Sequence, residues 1–202
     1  MNIKTDKFIK TGKTHFICQD YILTGSHPKC IILADGCSGV EDSDNGARLL
    51  CLAAAKYLKN YKLFLSELDD YTIFSMGQQI IYSAEIAAKV IDIPTSCLAA
   101  TLMITYYHEG YIYVAVYGDG NVILLDNDNE LHFYEISYSE NRPFYLSYYL
   151  FPDKHKLYKE TNTEQFIRSK DGTNKIEFNL PFQRRFKADQ YKVISIASDG
   201  LS

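Results

Sequence analysis

One short stretch, residues 30–39, constrains this chain more than any other. Its apolar run, residues 31–34 (IILA), stops abruptly at residues 35–39 (DGCSG). An apolar run that ends at an acidic residue and a glycine is typical of a buried strand that delivers one carboxylate to the edge of a sheet. Such a carboxylate must be hydrated, paired or bound to a metal ion. The same pattern also describes an ordinary turn, so the stretch by itself leaves both interpretations open.

The composition favours one globular domain over residues 1–202, with 47% hydrophobic and 23% charged residues. The formal net charge of -4 gives no electrostatic reason to expect nucleic acid or an anionic membrane as a partner. No apolar run approaches the ~18 residues that span a bilayer, so we expect a cytoplasmic protein. The five cysteines form no CxxC pair, which favours free thiols over zinc ligands or disulfides.

The chain before Pro94 predicts two strands followed by two helices. Residues 15–23 are rich in β-branched and aromatic side chains and predict a strand that pairs with a strand over residues 30–35. Apolar residues recur at helical spacing over residues 43–61 and again over residues 66–91, where Pro94 ends the pattern.

After Pro94 the apolar pattern changes to a period of two or to continuous runs, which predicts strands joined by hairpin turns. These strands cover residues 98–107, 111–117, 122–125 and 131–136. Residues 137–187 lack a strong period and predict an irregular region with one or two short strands, and residues 191–197 predict a closing strand. The whole order predicts an α+β fold in which helices pack on antiparallel sheet.

Four aspartates share one kind of position in this scheme. Asp20 lies in a strand, Asp119 lies in a Gly-Asp-Gly turn, and Asp35 and Asp199 end strands just before a glycine. Carboxylates from separate strands at one end of a sheet would form an all-oxygen site, which suits Mg²⁺ or Mn²⁺ better than zinc. Two such ions, about 3.5–4 Å apart, activate a bridging water for attack on a phosphoryl group. The pattern therefore favours phosphoester hydrolysis.

Five short motifs, in this order along the chain, resemble those of the metal-dependent protein serine/threonine phosphatases of the protein phosphatase 2C type. Residues 19–20 resemble that family's Glu-Asp motif, and residues 35–39 its Asp-Gly-x-Gly-Gly motif. Residues 97–104 are similar to its Gly-x-Thr strand, residues 118–120 to its Gly-Asp-Ser turn, and residues 188–201 to its Gly-Asp…Ser-Asp-Gly-Leu ending. The resemblance implies an antiparallel β-sandwich flanked by helices in α-β-β-α layers, and a signalling enzyme whose substrates are phosphorylated proteins.

The resemblance also implies a role for each matching residue. Asp35 would bridge two Mg²⁺ or Mn²⁺ ions, Gly36 would add its backbone carbonyl, and Asp199 would bind one ion of the pair. Asp119 would face a third, weaker ion. Asp20 would orient water on the metal pair, so Asp20 and Asp35 are the expected catalytic residues. The nucleophile implied is a metal-bound hydroxide, and the irregular region from residue 137 overlaps the family's mobile flap.

The chain departs from the family pattern at several positions. Gln19 replaces a glutamate, which removes a negative charge and should lower cation affinity. His15 stands where an arginine usually grips the substrate phosphate, and it lacks the bidentate fork of arginine. Lys13 or Arg48 are possible substitutes. The sequence also stops at Ser202, so we expect a domain that lacks the family's C-terminal helix, its last strand and a final aspartate ligand.

These departures keep two other hypotheses open. In one, the chain is a catalytically weak or inactive phosphatase-like domain that binds a phosphoprotein or a regulatory partner. In the other, the acidic turns are ordinary loops of a structural α+β domain. The sequence indicates neither the physiological substrate nor an oligomeric state.

Overall fold

The computed structural model describes residues 3–11, 17–60 and 69–199, which contain ten strands and three helices. The helices are α1 (Ser43–Asn60), α2 (Asp70–Val90) and α3 (Pro152–Glu160). The strands are β1 (Asp20–Ser26), β2 (Lys29–Gly36), β3 (Ala100–His108), β4 (Tyr111–Tyr117), β5 (Gly120–Asp126), β6 (Leu131–Tyr138), β7 (Gln165–Ser169), β8 (Gly172–Ile176), β9 (Phe182–Lys187) and β10 (Tyr191–Ala197). No helix among the described residues is long and apolar enough to cross a membrane.

The strands form two five-stranded antiparallel sheets. Sheet 1 has the order β1-β2-β3-β4-β9, and sheet 2 has the order β10-β5-β6-β7-β8. Helix α1 packs on β1, β2 and β3, and α2 packs on α1. The predicted α+β fold, an antiparallel sandwich with helices packed on it, is therefore confirmed.

Strand β2 shows why the apolar runs of this sequence are continuous instead of alternating. Ile32 and Ala34 belong to the core between sheet 1 and the helices, whereas Leu33 belongs to the core between the two sheets. Met103 in β3 likewise faces sheet 2 and its neighbour Leu102 faces the helices. Because both faces of sheet 1 are buried, consecutive positions in the middle of its central strands carry mostly apolar side chains.

The predicted helices and first strands are present with shifted boundaries. Asp69 caps α2, where its carboxylate accepts from the backbone N–H of Thr72 at 2.7 Å, so this helix begins after residue 66. Strand β1 begins at Asp20, later than the predicted residue 15. Residues 12–16 and 61–68, into which parts of both predictions fall, lie outside the described residues.

Two sequence predictions about the second half of the chain are wrong. The turn at residues 118–120 is a corner that carries the chain from β4 in sheet 1 to β5 in sheet 2, and β4 and β5 form no hairpin. Gly118 and Gly120 have φ angles of +100° and +133°, which glycine adopts without strain and which allow this abrupt change of direction. Residues 137–187 also contain three strands and a helix where the sequence predicted one or two short strands. These strands have short, mixed sequences and are stabilised by pairing, β7 with β6, β8 with β7 and β9 with β4.

Helix α1 makes its closest backbone approach at Gly46. A Cβ atom added there would lie 1.8 Å from the carbonyl oxygen of Cys97, and this backbone is held between buried side chains. We expect Gly46→Ala to lower the free energy of unfolding by about 2–3 kcal/mol, because the backbone itself must move to relieve the overlap. Urea unfolding measures the change. Gly39→Ala is the matched control, since a Cβ at Gly39 meets nothing within 4 Å, and an equal loss in both variants would contradict the packing argument.

Candidate active site

The ladders of sheet 1 place two aspartates and a threonine side by side. Asp20 in β1 pairs with Asp35 in β2, and Asp35 pairs with Thr101 in β3. Directly paired residues share a face of the sheet, and residues two positions along, such as Leu33, lie in the core between the sheets. Asp20, Asp35 and Thr101 therefore end the inter-sheet face of sheet 1, where the apolar core gives way to polar groups.

Asp119 reaches the same end of the sandwich from the corner between the sheets. The Thr101 hydroxyl donates to Asp119 Oδ1 at 2.6 Å, which ties the corner to β3. A Cβ at Gly118 would lie 2.8 Å from Thr101 Oγ1, so glycine is required for this close approach as well as for the positive φ angle. Thr101 thus fixes the orientation of one oxygen of Asp119.

Sheet 2 brings a fourth aspartate, Asp199, to the same end of the sandwich. It follows β10, whose last residue Ala197 pairs with Asn121 and has its carbonyl oxygen beside Gly120. The charge of Asp199 acts on both Asp35 and Asp119. We call Asp20, Asp35, Asp119 and Asp199 the aspartate cluster; the first three are half-buried and Asp199 is exposed.

Burial and like charge together disfavour ionisation in the cluster. Burial raises the pKa of Asp35 to about 8, and Asp20, which shares a hydrogen bond with it, adds to the rise along with Asp199 and Asp119. Burial also raises the pKa of Asp119, although the Thr101 hydroxyl partly opposes this by donating to the carboxylate. Among the described residues no lysine or arginine forms an ion pair with any member of the cluster.

The backbone beside Asp35 is held as tightly as its side chain. The Gly36 N–H donates to the backbone carbonyl of Gln19 at 3.2 Å, and a Cβ at Gly36 would lie 2.7 Å from the carbonyl oxygen of Ser43. The Gln19 amide donates from Nε2 to Ser43 Oγ at 2.7 Å, which joins the start of β1 to the start of α1. Only glycine fits between these two backbone segments.

Comparison with known proteins identifies the family of this chain. Residues 11–202 match the family described as Protein phosphatase 2C. The chain belongs to the protein phosphatase 2C family. A mutant of a bacterial serine phosphatase matches with a TM-score of 0.62 and 13% identity, covering 96% of this chain and 76% of its own. The unmodified bacterial serine phosphatase gives 0.57 and 15%, with 96% and 77% covered.

A third solved structure, the serine/threonine phosphatase Stp1 from Staphylococcus aureus, matches with a TM-score of 0.55 and 14% identity, covering 96% of this chain and 75% of its own. At these identities the likeness concerns the fold. No curated protein sequence matches the chain. The family and fold predicted from the motifs are therefore confirmed, whereas the roles predicted for single residues stay predictions.

The position of the predicted phosphate-binding residue His15 lies outside the described residues of this phosphatase 2C chain, and so does Lys13. Arg48, the other candidate, is an exposed residue of α1 whose guanidinium lies 5.3 Å from the centre of the Tyr21 ring. Gln19 has its amide nitrogen engaged with Ser43, so the residue that replaces the family's glutamate has a structural contact of its own.

A second group of possible metal ligands was missed by the sequence analysis of this phosphatase 2C chain. Asp126, Glu130 and His132 have ligand atoms within 4.8 Å of one another, the only such trio among the described residues. Their spacing around one hairpin turn was the available signal. This trio lies at the far end of β5 from the aspartate cluster, about 20 Å away for six strand residues.

Existing hydrogen bonds account for this trio. Asp126 Oδ2 is 2.8 Å from His132 Nε2, a hydrogen bond that lowers the pKa of Asp126, and Oδ1 accepts the backbone N–H groups of Asp128 and Glu130. Glu130 forms an ion pair with Lys170. The arrangement stabilises the hairpin without an ion.

The raised pKa of Asp35 predicts a pH-dependent stability for the metal-free protein. Between its unfolded value of 3.8 and its folded value of about 8, the folded state holds a proton that the unfolded state has lost, so the free energy of unfolding falls as pH rises across this window and is level above it. We expect Asp35→Asn to remove this fall, so the excess Tm of the variant over the wild-type protein grows from pH 4 towards pH 8. Thermal unfolding in the presence of a chelator measures it.

The matched control is Asp171→Asn, at an exposed aspartate in the turn between β7 and β8. Its Tm should stay parallel to that of the wild-type protein. A difference between wild type and Asp35→Asn that is independent of pH contradicts the proposed origin of the raised pKa.

Proposed function

We propose that this phosphatase 2C domain hydrolyses phosphoserine and phosphothreonine in proteins with the help of two Mg²⁺ or Mn²⁺ ions. The observation that carries the proposal is the aspartate cluster itself. Its members are brought to one end of the sandwich by both sheets, and Asp35 is disfavoured as an anion until a positive charge arrives. The donors are all oxygens, which is the set that Mg²⁺ and Mn²⁺ prefer.

The residues proposed to hold the ions are Asp35, Asp119 and Asp199, with the Gly36 carbonyl as a further ligand. Bound together, two such ions lower the pKa of water and neutralise charge on a phosphoryl group. No three carboxylates of the cluster have their ligand oxygens within 4.8 Å of one another among the described residues. The four carboxylates are therefore spread over a wider space than the hairpin trio. We also propose that Asp119 faces a third, more weakly bound ion.

The chain's own groups position these ligands. Asp20 and Asp35 share a hydrogen bond, so Asp20 holds the Asp35 carboxyl and can accept a proton from the reacting water. Thr101 engages Oδ1 of Asp119, which leaves Oδ2 for a ligand. The Gly36 backbone is fixed between Gln19 and Ser43. These contacts hold the site before substrate arrives, which favours catalysis.

The alternative is a weakly active or inactive domain that binds a phosphoprotein or a regulatory partner. Gln19 favours it, because an uncharged amide stands where the family has a glutamate and its nitrogen is engaged with Ser43. The loss of one negative charge near the cluster lowers the attraction for divalent cations. Phosphopeptide binding without turnover at saturating Mn²⁺ would support this alternative.

The proposed function predicts Mn²⁺-dependent release of phosphate from a phosphothreonine peptide. We expect Asp35→Asn to lower kcat/KM at least about a hundredfold, because one of the carboxylates that would hold the ions is lost. Phosphate release at saturating Mn²⁺ measures the change.

Glu130→Gln is the matched control, since it removes one carboxylate from the hairpin trio and leaves the aspartate cluster intact. Its activity should equal that of the wild-type protein. Full activity in Asp35→Asn, or a loss confined to Glu130→Gln, would falsify the assignment of the aspartate cluster.

A further inference from the structure

The segment between β6 and β7 lines a basic cavity of about 300 Å³. One leucine and six polar or aromatic residues line it; the six are Arg142, Lys154, Tyr148, Tyr158, Thr161 and Thr163. Among the residues that the structure describes, no carboxylate lines this space, although the chain as a whole carries a net charge of -4. The cavity is at the small end of ligand pockets, so it suits one side chain or one small anion. We call it the basic cavity.

The two cations of the basic cavity keep donors available for an anion. Lys154 lies 5.8 Å above the Tyr148 ring and, among the described residues, forms no ion pair with a carboxylate. Arg142 contacts Glu140 at 3.1 Å, but both side chains are mostly exposed, so the pair is weak and leaves part of the guanidinium fork free. The hydroxyls of Thr161 and Thr163 lie 3.0 Å apart and hydrogen-bond each other, and Thr161 also donates to the carbonyl oxygen of Leu157, so the cations are the donors left for an anion.

Two tyrosines, Tyr145 and Tyr148, connect the basic cavity to the aspartate cluster. Tyr148, which lines the cavity, has its ring centre 5.4 Å from that of Tyr145. Tyr145 in turn shares a hydrogen bond with Cys37, two residues after Asp35, and the charge of Asp119 acts on it.

We propose that the basic cavity binds a second phosphoryl group of the same protein substrate. This inference rests on the proposed function, since it defines the substrate class as multiply phosphorylated segments. A phosphoryl dianion offers three acceptor oxygens, which match the arginine fork and the lysine ammonium. A membrane surface fits less well, because lipid binding uses clusters of four or more basic residues on an open face and this site is a cavity with two.

The test compares two peptides that carry one phosphothreonine each. One peptide also carries a non-hydrolysable phosphonate four residues before or after it, and the other carries alanine there. We expect kcat/KM for the wild-type protein to be about tenfold higher with the phosphonate, which corresponds to about 1.4 kcal/mol. In Arg142→Gln/Lys154→Gln the ratio should fall to about one. Lys156→Gln is the matched control, because Lys156 lies on the exposed side of α3 and pairs with Glu160, and it should keep the wild-type ratio.

Failure of this inference is distinguishable from failure of the proposed function. Turnover of the singly phosphorylated peptide tests the function, and the ratio of the two peptides tests the cavity. If neither peptide is turned over, fluorescence anisotropy of the labelled phosphonate peptide still tests the cavity. A ratio of one in the wild-type protein, or an equal fall in Lys156→Gln, overturns the inference. So does a double variant that loses binding only to phosphatidylserine vesicles, which would assign the cavity to a membrane.

Discussion

The pairing of β1, β2 and β3 puts the Asp35 carboxyl beside that of Asp20 in a half-buried position, and the rest of the site depends on this contact. Ionising both of two carboxyl groups this close together costs free energy, because the two negative charges repel each other. The surroundings increase the repulsion, because Asp119 and Asp199 add negative charge and, among the described residues, none of the groups that act on Asp35 is positive. The cluster is therefore electrostatically unfavourable by itself, and a bound cation would relieve the repulsion.

Both sheets contribute aspartates to the cluster. Sheet 1 supplies Asp20 and Asp35, sheet 2 supplies Asp199, and the corner between them supplies Asp119. Three glycines make the assembly possible: Gly36 fits between two backbone segments, and Gly118 and Gly120 turn the chain from one sheet to the other. Both cores of the sandwich extend to this end, so packing energy, and not the aspartates, holds them together.

Much of the fold, and the grouping of the four aspartates, was predictable from the sequence. The structure brings Asp20, Asp35, Asp119 and Asp199, which the sequence analysis grouped together, to one end of the sandwich, and their roles stay predictions. The corner at residues 118–120 was mistaken for a hairpin, because two glycines around an aspartate permit both and only the pairing of distant strands decides between them. The number of strands in residues 137–187 was predicted too low. Strands β7, β8 and β9 have weak patterns of their own and are stabilised by pairing with neighbouring strands, which the sequence does not show. The contact of Tyr145 with Cys37 joins residues over a hundred positions apart and leaves no local signal.

The most direct test of the account is a calorimetric titration of Mn²⁺ into the metal-free protein at pH 6.5, repeated in two buffers of different ionisation enthalpy. Because the pKa of Asp35 is about 8, this carboxyl holds a proton at that pH and must release it when a cation binds. We expect two ions to bind per chain, with a net proton release that disappears in Asp35→Asn. Binding without proton release, or with the same release in Asp35→Asn, would contradict the account.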